Sequence, residues 1–481
     1  MSVSQDPEPS GHTSGPVDDG RGLWTAGRRN LTAGLVLTVT LVAFEALAVS
    51  TIMPIVAREL GNLELYGWVF TSFMLGSLIG IVVVGGIIDR RGLGLPFAVG
   101  IALFAVGLII GGLAPSMEVL VAGRFLQGLG AGTVPPIAYV AIGRSLPERL
   151  RPQMFATLST AWVLPGVLGP ALAGAVGESI GWRWVFLGLL PLIAIAAGIA
   201  YPQVRRVGPG ASAAAATLRE RLPLALVVAV GTGLLLGGLT SGDPVLLVVL
   251  GTIGAALAIL ALRQLTPPGT LRAARGMPAA VLIRGIITFA FFAVDAYIAL
   301  ALVEWRGLSA TAAGISLTAA TLTWTTGSWI QARLSTRYPP ERFVQAGIAV
   351  LIAGLTTFLV VLYPQFSPWL AIPTVGLAGL GMGLAYSPLA LIVLREASGA
   401  EQGRASSALS LTDSLGTALG TGITGAAVAA AVRDAGTPFR GLFVGFLVAI
   451  AVATLGLILS SRLRVAERPA TAAGAVPVTG P

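Results

Sequence analysis

The sequence predicts an all-α polytopic membrane protein: two six-helix bundles with two further transmembrane helices inserted between them. Three observations carry this. Of 481 residues, 55% are hydrophobic and only 11% charged, with a mean hydropathy of +0.86. That leaves too little polar surface to cover a soluble domain of this length. Fourteen apolar runs approach the roughly 20 residues that a bilayer core demands. Finally, a glycine motif repeats at an offset longer than six spans require.

The polar stretch 1–30, rich in Gly, Pro, Ser and Asp, reads as a disordered tail, and so does 463–481. Runs at 31–54, 66–88, 95–114, 117–143, 152–177 and 184–202 form a first bundle over 31–202. The first run is too long and too acid-interrupted for a cleaved leader, so it is taken as span 1. The string Q-G-L-G-A-G at 127–132 recurs as A-G-L-G-M-G at 378–383, a shift of 251. The same shift aligns Leu158, Ser159, Gly169 and Gly174 with Leu409, Ser410, Gly420 and Gly425. One offset across two helices and a loop points to duplication. The first unit needs 172 residues, which leaves 79 over, and the linker 203–279 fills them with runs at 222–240 and 244–263. Runs at 280–303, 311–334, 343–363, 367–394, 403–432 and 439–461 then form a second bundle over 280–462. An inserted pair preserves orientation, so both bundles start on the same face.

The net charge of +9 is topogenic rather than nucleic-acid binding. With the N-terminus inside, Arg90, Arg91, Arg144, Arg149, Arg151, Arg205, Arg206, Arg333, Arg337 and Arg342 fall in inner loops. Arg58, Arg183, Arg306, Arg433 and Arg440 fall outside. That bias puts both termini in the cytoplasm. The chain has no cysteine and no lysine, and its one histidine, His12, lies in the tail. Thiolate and Schiff-base chemistry, Ser–His catalysis and a lysine-dependent phosphate loop are thereby excluded. No metal, cofactor or ATP is expected, and the chain is expected to be a monomer of a bacterial inner membrane. The all-arginine, Ala/Gly-rich composition suits a high-GC bacterial genome.

Charge inside the spans is expensive, at about 2.5–3.5 kcal/mol or more at mid-bilayer. Glu45, Arg124, Asp295 and Asp413 are read as the ionisable residues that carry it. Glu45 lies ~13 Å and Arg124 ~10 Å from the outer ends of spans 1 and 4, so the two are expected to pair. The competing reading has Arg124 snorkelling to the outer surface. Under the 251 shift Glu45 falls on Ala296, beside Asp295, which places a second carboxylate at nearly equal depth. Burial and a nearby guanidinium act on a carboxyl in opposite directions. Such an acid can exchange its proton when its surroundings change, and no histidine is present to do so instead. The competing reading of Asp295 is a structural acid bonded to a neighbouring helix, Asp413 is open either way, and Glu304 reads as interfacial.

These residues resemble the major facilitator superfamily, and within it the fourteen-span drug:proton antiporters. G-G-I-I-D-R-R-G (85–92), with Gly85, Asp89, Arg90 and Gly92, is similar to the signature loop between spans 2 and 3, although Leu93 and Gly94 replace its closing basic residues. R-F-L-Q-G-L-G-A-G (124–132) is similar to the span-4 motif, whose arginine the family ties to proton transfer. P-G-V-L-G-P-A-L-A-G (165–174), with Pro165, Gly169, Pro170 and Gly174, resembles the exporters' span-5 motif, in which glycines admit close backbones and Pro170 bends the helix. G-W-R-W-V-F-L-G-L-L-P (181–191) is a further likeness, and in E-A-L-A-V-S-T-I-M-P Glu45 and Ser50 replace the commoner Asp and Asn. The resemblance implies a proton-driven exporter of an amphipathic compound, with two rocking halves, Glu45 modulated by Arg124 as the proton site, and Asp89 steadying one state. Trp162, Phe292, Tyr297 and Trp324 are candidate aromatic contacts for a hydrophobic or cationic substrate. Two alternatives stay open: a proton-driven importer of the same fold, and a non-transporting sensor or scaffold.

Overall fold

The computed structural model describes residues 22–61, 66–209, 218–241, 243–308, 310–398, 401–435 and 437–464. Most of both expected tails lies outside these residues. So do the side chains of Ser50, Pro54, Trp68, Pro170 and Glu304. Every regular element among the described residues is helical.

The first bundle comprises α1 (Arg29–Leu60), α2 (Tyr66–Arg91), α3 (Gly94–Gly112), α4 (Met117–Ala131), α5 (Val134–Ser145), α6 (Arg151–Thr160), α7 (Val163–Val176), α8 (Arg183–Leu187) and α9 (Leu189–Val204). The inserted pair is α10 (Leu218–Thr240) and α11 (Pro244–Leu265). The second bundle comprises α12 (Met277–Asp295), α13 (Ile298–Leu300), α14 (Ala310–Leu334), α15 (Pro340–Val361), α16 (Ala371–Glu396), α17 (Gln402–Ala435) and α18 (Phe439–Leu459).

Eleven stretches are each long and apolar enough to cross a membrane. The other three expected spans are helical too, as α14, α17 and α6–α7, the last broken into two shorter helices. Span 4 divides at Gly132–Thr133 because Pro135 and Pro136, which lack N–H groups, fit only in the first turn of a new helix. Span 5 is interrupted at Ala161–Trp162 and again by a π turn at Gly177–Gly181; α7 runs on through Pro170, where the bend was expected.

The glycine repeat is a packing device. A Cβ on Gly128 or Gly132 would strike the α2 carbonyls of Phe73 or Ser77, and one on Gly130 would strike Gly100 and Phe104 of α3. In the second bundle Gly379 and Gly383 abut Ala320 and Trp324 of α14, while Gly381 abuts Gly347 and Leu351 of α15. The mates of Phe73, Ser77, Gly100 and Phe104 therefore stand 247 residues on, not 251. The longer α15–α16 connection in the second copy absorbs the difference. Span 1 slides the same way, since Gly169 faces Phe44 and Leu47 whereas its mate Gly420 faces Phe289. The slide takes Glu45 off Ala296 and onto a residue earlier in α12, so Asp295 is not its equal-depth mate.

The inserted pair sits over one seam between the bundles. Ala225, Val228 and Ala229 of α10 pack with Leu78, Ile79 and Val82 of α2 and with Leu411 and Leu415 of α17. Behind α10, α11 turns Val245, Val248, Ile253 and Leu260 outward, as a lipid-facing helix should.

Candidate functional site

Glu45, midway along α1, and Arg124, seven residues into α4, meet in an ion pair with the side chains 1% and 3% exposed. Gln127, one turn beyond Arg124, completes the cluster. Its Nε2 donates to Glu45 Oε1 at 3.2 Å, and its Oε1 accepts from Arg124 Nη1 at 3.1 Å. Arg124 Nε donates to the Val69 carbonyl at 3.3 Å, and the guanidinium lies 4.3 Å from the Phe73 ring centroid. Arg124 thus points into the bundle, and the snorkelling alternative is excluded. The second carboxylate oxygen, Glu45 Oε2, is buried without a hydrogen-bond partner among the described residues. A buried acceptor left open costs about 1–3 kcal/mol.

Asp295 does not join this cluster. It ends α12 and lines a cavity with room for about one water molecule, together with Phe291, Phe358, Val375 and Ala378.

Asp413 is paired with a residue that the sequence reading passed over. Arg284, four residues into span 9, is fully buried and belongs with the intramembrane charges. Its Nε donates to Asp413 Oδ1 at 2.9 Å, its Nη1 to the Tyr386 carbonyl at 2.6 Å and its Nη2 to the Tyr139 hydroxyl at 2.9 Å. Tyr386 donates its hydroxyl to Asp413 Oδ2 at 2.9 Å, and Arg284 stacks on its ring, 3.0 Å from the centroid. An arginine so near a span end reads in sequence as a topology signal. Its one distinguishing mark was an opposite charge, Asp413, in the same half of span 13.

At the end of the bundle where α2 stops, Asp89 accepts from Arg144 Nη2 at 2.9 Å within its own half. It also accepts the backbone N–H groups of Gly403 at 3.0 Å and Arg404 at 3.1 Å, the first turn of α17 in the other half. A carboxylate there satisfies orphan donors and meets the positive end of the helix dipole. Gly85 abuts Gly403, Gly92 has φ +72°, a conformation that favours glycine, and Arg90 is exposed. Ser407 Oγ bonds the Ile81 carbonyl, Ser328 bonds Ser159 at 3.1 Å, and Trp329 bonds Thr160 at 2.9 Å. All these inter-half bonds lie in the part of the molecule nearer Asp89. At the opposite end the bonds among the described residues stay within one half: Trp182 and Arg183 hold Glu59, and Arg306 holds the Val361, Tyr363 and Phe366 carbonyls. The halves are closed at the Asp89 end.

Phe292 and Trp324 do come together, at 6.5 Å between centroids, and Phe291 and Tyr386 extend the cluster. Tyr297 instead bonds the Thr421 carbonyl at 2.8 Å, and Trp162 is exposed at the break before α7, with no ring partner among the described residues. Of the span-5 residues, Gly169 has no neighbour closer than 3.7 Å to an added Cβ and Pro165 is buried. Gly166, between them, faces Thr321 of the other half.

The chain matches the Major Facilitator Superfamily model over residues 35–421 and belongs to that superfamily. It is therefore a multi-pass membrane transporter and not an enzyme. It is 26% identical over 434 residues to a Mycobacterium tuberculosis protein named "Probable multidrug-efflux transporter", covering 87% of this chain and 91% of that one. Among solved structures it resembles the human organic anion transporter MFSD10, with a TM-score of 0.67 and 15% identity over 90% of this chain and 99% of that one. It also resembles the proton:xylose symporter XylE, with a TM-score of 0.66 and 13% identity over 91% and 96%.

Proposed function

We propose that this transporter is a proton-coupled antiporter that exports amphipathic small molecules, hydrophobic or cationic, across a bacterial cytoplasmic membrane by alternating access. Counting α6–α7, α14 and α17 as spans would give fourteen crossings, which with the arginine bias supports a cytoplasmic side for both termini and for the Asp89 end. On this reading the structure is outward-facing, with Asp89 and the Arg284 network closing the inner side. The proton gradient supplies the energy, with no cofactor and no ATP, and one chain is the working unit.

One observation carries the proposal: Glu45 is buried against Arg124 and Gln127 with one oxygen unsatisfied. Ionised, it is balanced by Arg124; protonated, it loses its charge and loosens the pair. A motion that alters the Arg124 contact thus changes proton affinity. The mycobacterial relative's name supports export. A second reading, proton-driven uptake, draws on the likeness to the xylose symporter. In proteoliposomes, an outward substrate gradient should drive opposing proton movement in the wild type and about tenfold less in Glu45→Gln. Proton movement alongside substrate means uptake, and equal coupling in Glu45→Gln rejects the assignment.

A further inference from the structure

Arg284 makes four contacts, and they divide unevenly between the halves. Asp413, the Tyr386 carbonyl and the Tyr386 ring all belong to the second half; only the Tyr139 hydroxyl, 2.9 Å from Nη2, belongs to the first. If the halves move as bodies, three contacts travel with Arg284 and one cannot. Asp413 accepts from Arg284 on one oxygen and from Tyr386 on the other. The charge therefore stays paired inside the second half after Tyr139 departs. Parting costs one hydrogen bond to a charged group and uncovers no bare ion.

Arg284 is also well placed to act as a gate. It stands seven residues into α12, ~10 Å from that helix's start. Tyr139 is six residues from the end of α5 and so at a matching level. Both lie deeper than the Asp89 cap on α17. Tyr139 is aimed by its own half, since its ring packs edge-on against Phe155 at 5.4 Å.

We propose that Arg284 and the Tyr139 hydroxyl form a second latch of the Asp89 end, set deeper than the Asp89 cap, and that this bond breaks each time that end opens. Arg284 is a positioning residue, held ready by Asp413 and Tyr386 in both states. The inference requires only that the halves separate at this end. It stands whether transport is inward or outward and whatever the coupling ion.

The chain has no cysteine, so a labelled pair can be introduced without background. Spin labels at Arg91→Cys and Arg337→Cys, both exposed and one in each half, report the width of this end in nanodiscs. Tyr139→Phe keeps the ring packing on Phe155 and deletes the hydroxyl that meets Arg284 and the neighbouring Tyr386 hydroxyl across the halves. It should shift the open-to-closed ratio about tenfold or more towards open, the loss expected for one hydrogen bond to a charged group, with little change in unfolding temperature. Arg284→Lys, which keeps a cation beside Asp413 but loses the forked reach to Tyr139, should shift it the same way. A distance distribution unchanged in folded Tyr139→Phe overturns the latch. So does a fall in unfolding temperature with no change in distribution, which would make the bond merely structural. Failure of the Glu45→Gln coupling test leaves these outcomes unaffected.

Discussion

The two halves are built on one frame and differ in what they bury in it. On span 4, Arg124 and Gln127 have Val375 and Ala378 as mates 251 residues on, and on span 2, Phe73 has Ala320. Where the first half closes an acid, a guanidinium, an amide and a ring on one another, the second has an aliphatic side chain and two alanines. Asp295 is left beside a small cavity lined by Val375 and Ala378. The second half builds the same frame with no acid–guanidinium pair at these positions. A buried pair that the frame can do without is weak evidence of stabilisation, which favours a working role for Glu45–Arg124.

The comparison is broken most severely by Arg124→Leu. It leaves Glu45 buried and unpaired, which should cost about 3–5 kcal/mol and show as loss of folded protein on size-exclusion chromatography. Adding Glu45→Gln should restore folding but not coupled transport. A single mutant as stable as wild type would mean that the pair is not buried as described.

Next in size come the glycines that the halves share. Gly128→Ala pushes a methyl at the Phe73 carbonyl and Gly379→Ala pushes one at the Ala320 carbonyl, and backbone cannot step aside. Each should cost about 1–3 kcal/mol in thermal unfolding, by similar amounts. Tolerance of one alone would show that the frame is not common to both halves.

The smallest effect separates the two outer ends. The first half's is tied by Glu59, whose carboxyl the Arg183 and Trp182 donors hold below its usual range; the second half's is tied by Arg306 to carbonyls, which do not titrate. A depressed folded-state value means stability present above the unfolded value of about 4.5 and lost as pH falls below it. Glu59 is half exposed, so no more than about 1 kcal/mol is at stake. The difference in melting temperature between wild type and Glu59→Gln should shrink as pH drops from 5 to about 3; a constant difference would deny the tie its charge.

Much of this was legible because it is written locally. Span length, the glycine register and a lone charge in an apolar run are short-range signals, and they led to the frame and to Glu45–Arg124. Gln127 was overlooked because an uncharged amide stands out little. Arg284 was overlooked because four residues from a span end it looks like an anchor. The Asp89 cap has no sequence signature on its far side, since its partners are backbone N–H groups. The slide from 251 to 247 arose in a connection whose length the motif could not report, and it displaced the expected match between Asp295 and Glu45. The position of α10 over the α2–α17 seam is likewise a matter of which faces meet, which span counting does not reveal.

The central claim is that one half carries the exchangeable proton. The direct measurement is proton release on adding a transported compound to purified protein in weakly buffered detergent, comparing wild type, Glu45→Gln and Asp295→Asn. Release should vanish in Glu45→Gln and persist in Asp295→Asn. Release that survives in Glu45→Gln and disappears in Asp295→Asn would place the proton in the other half and contradict the account.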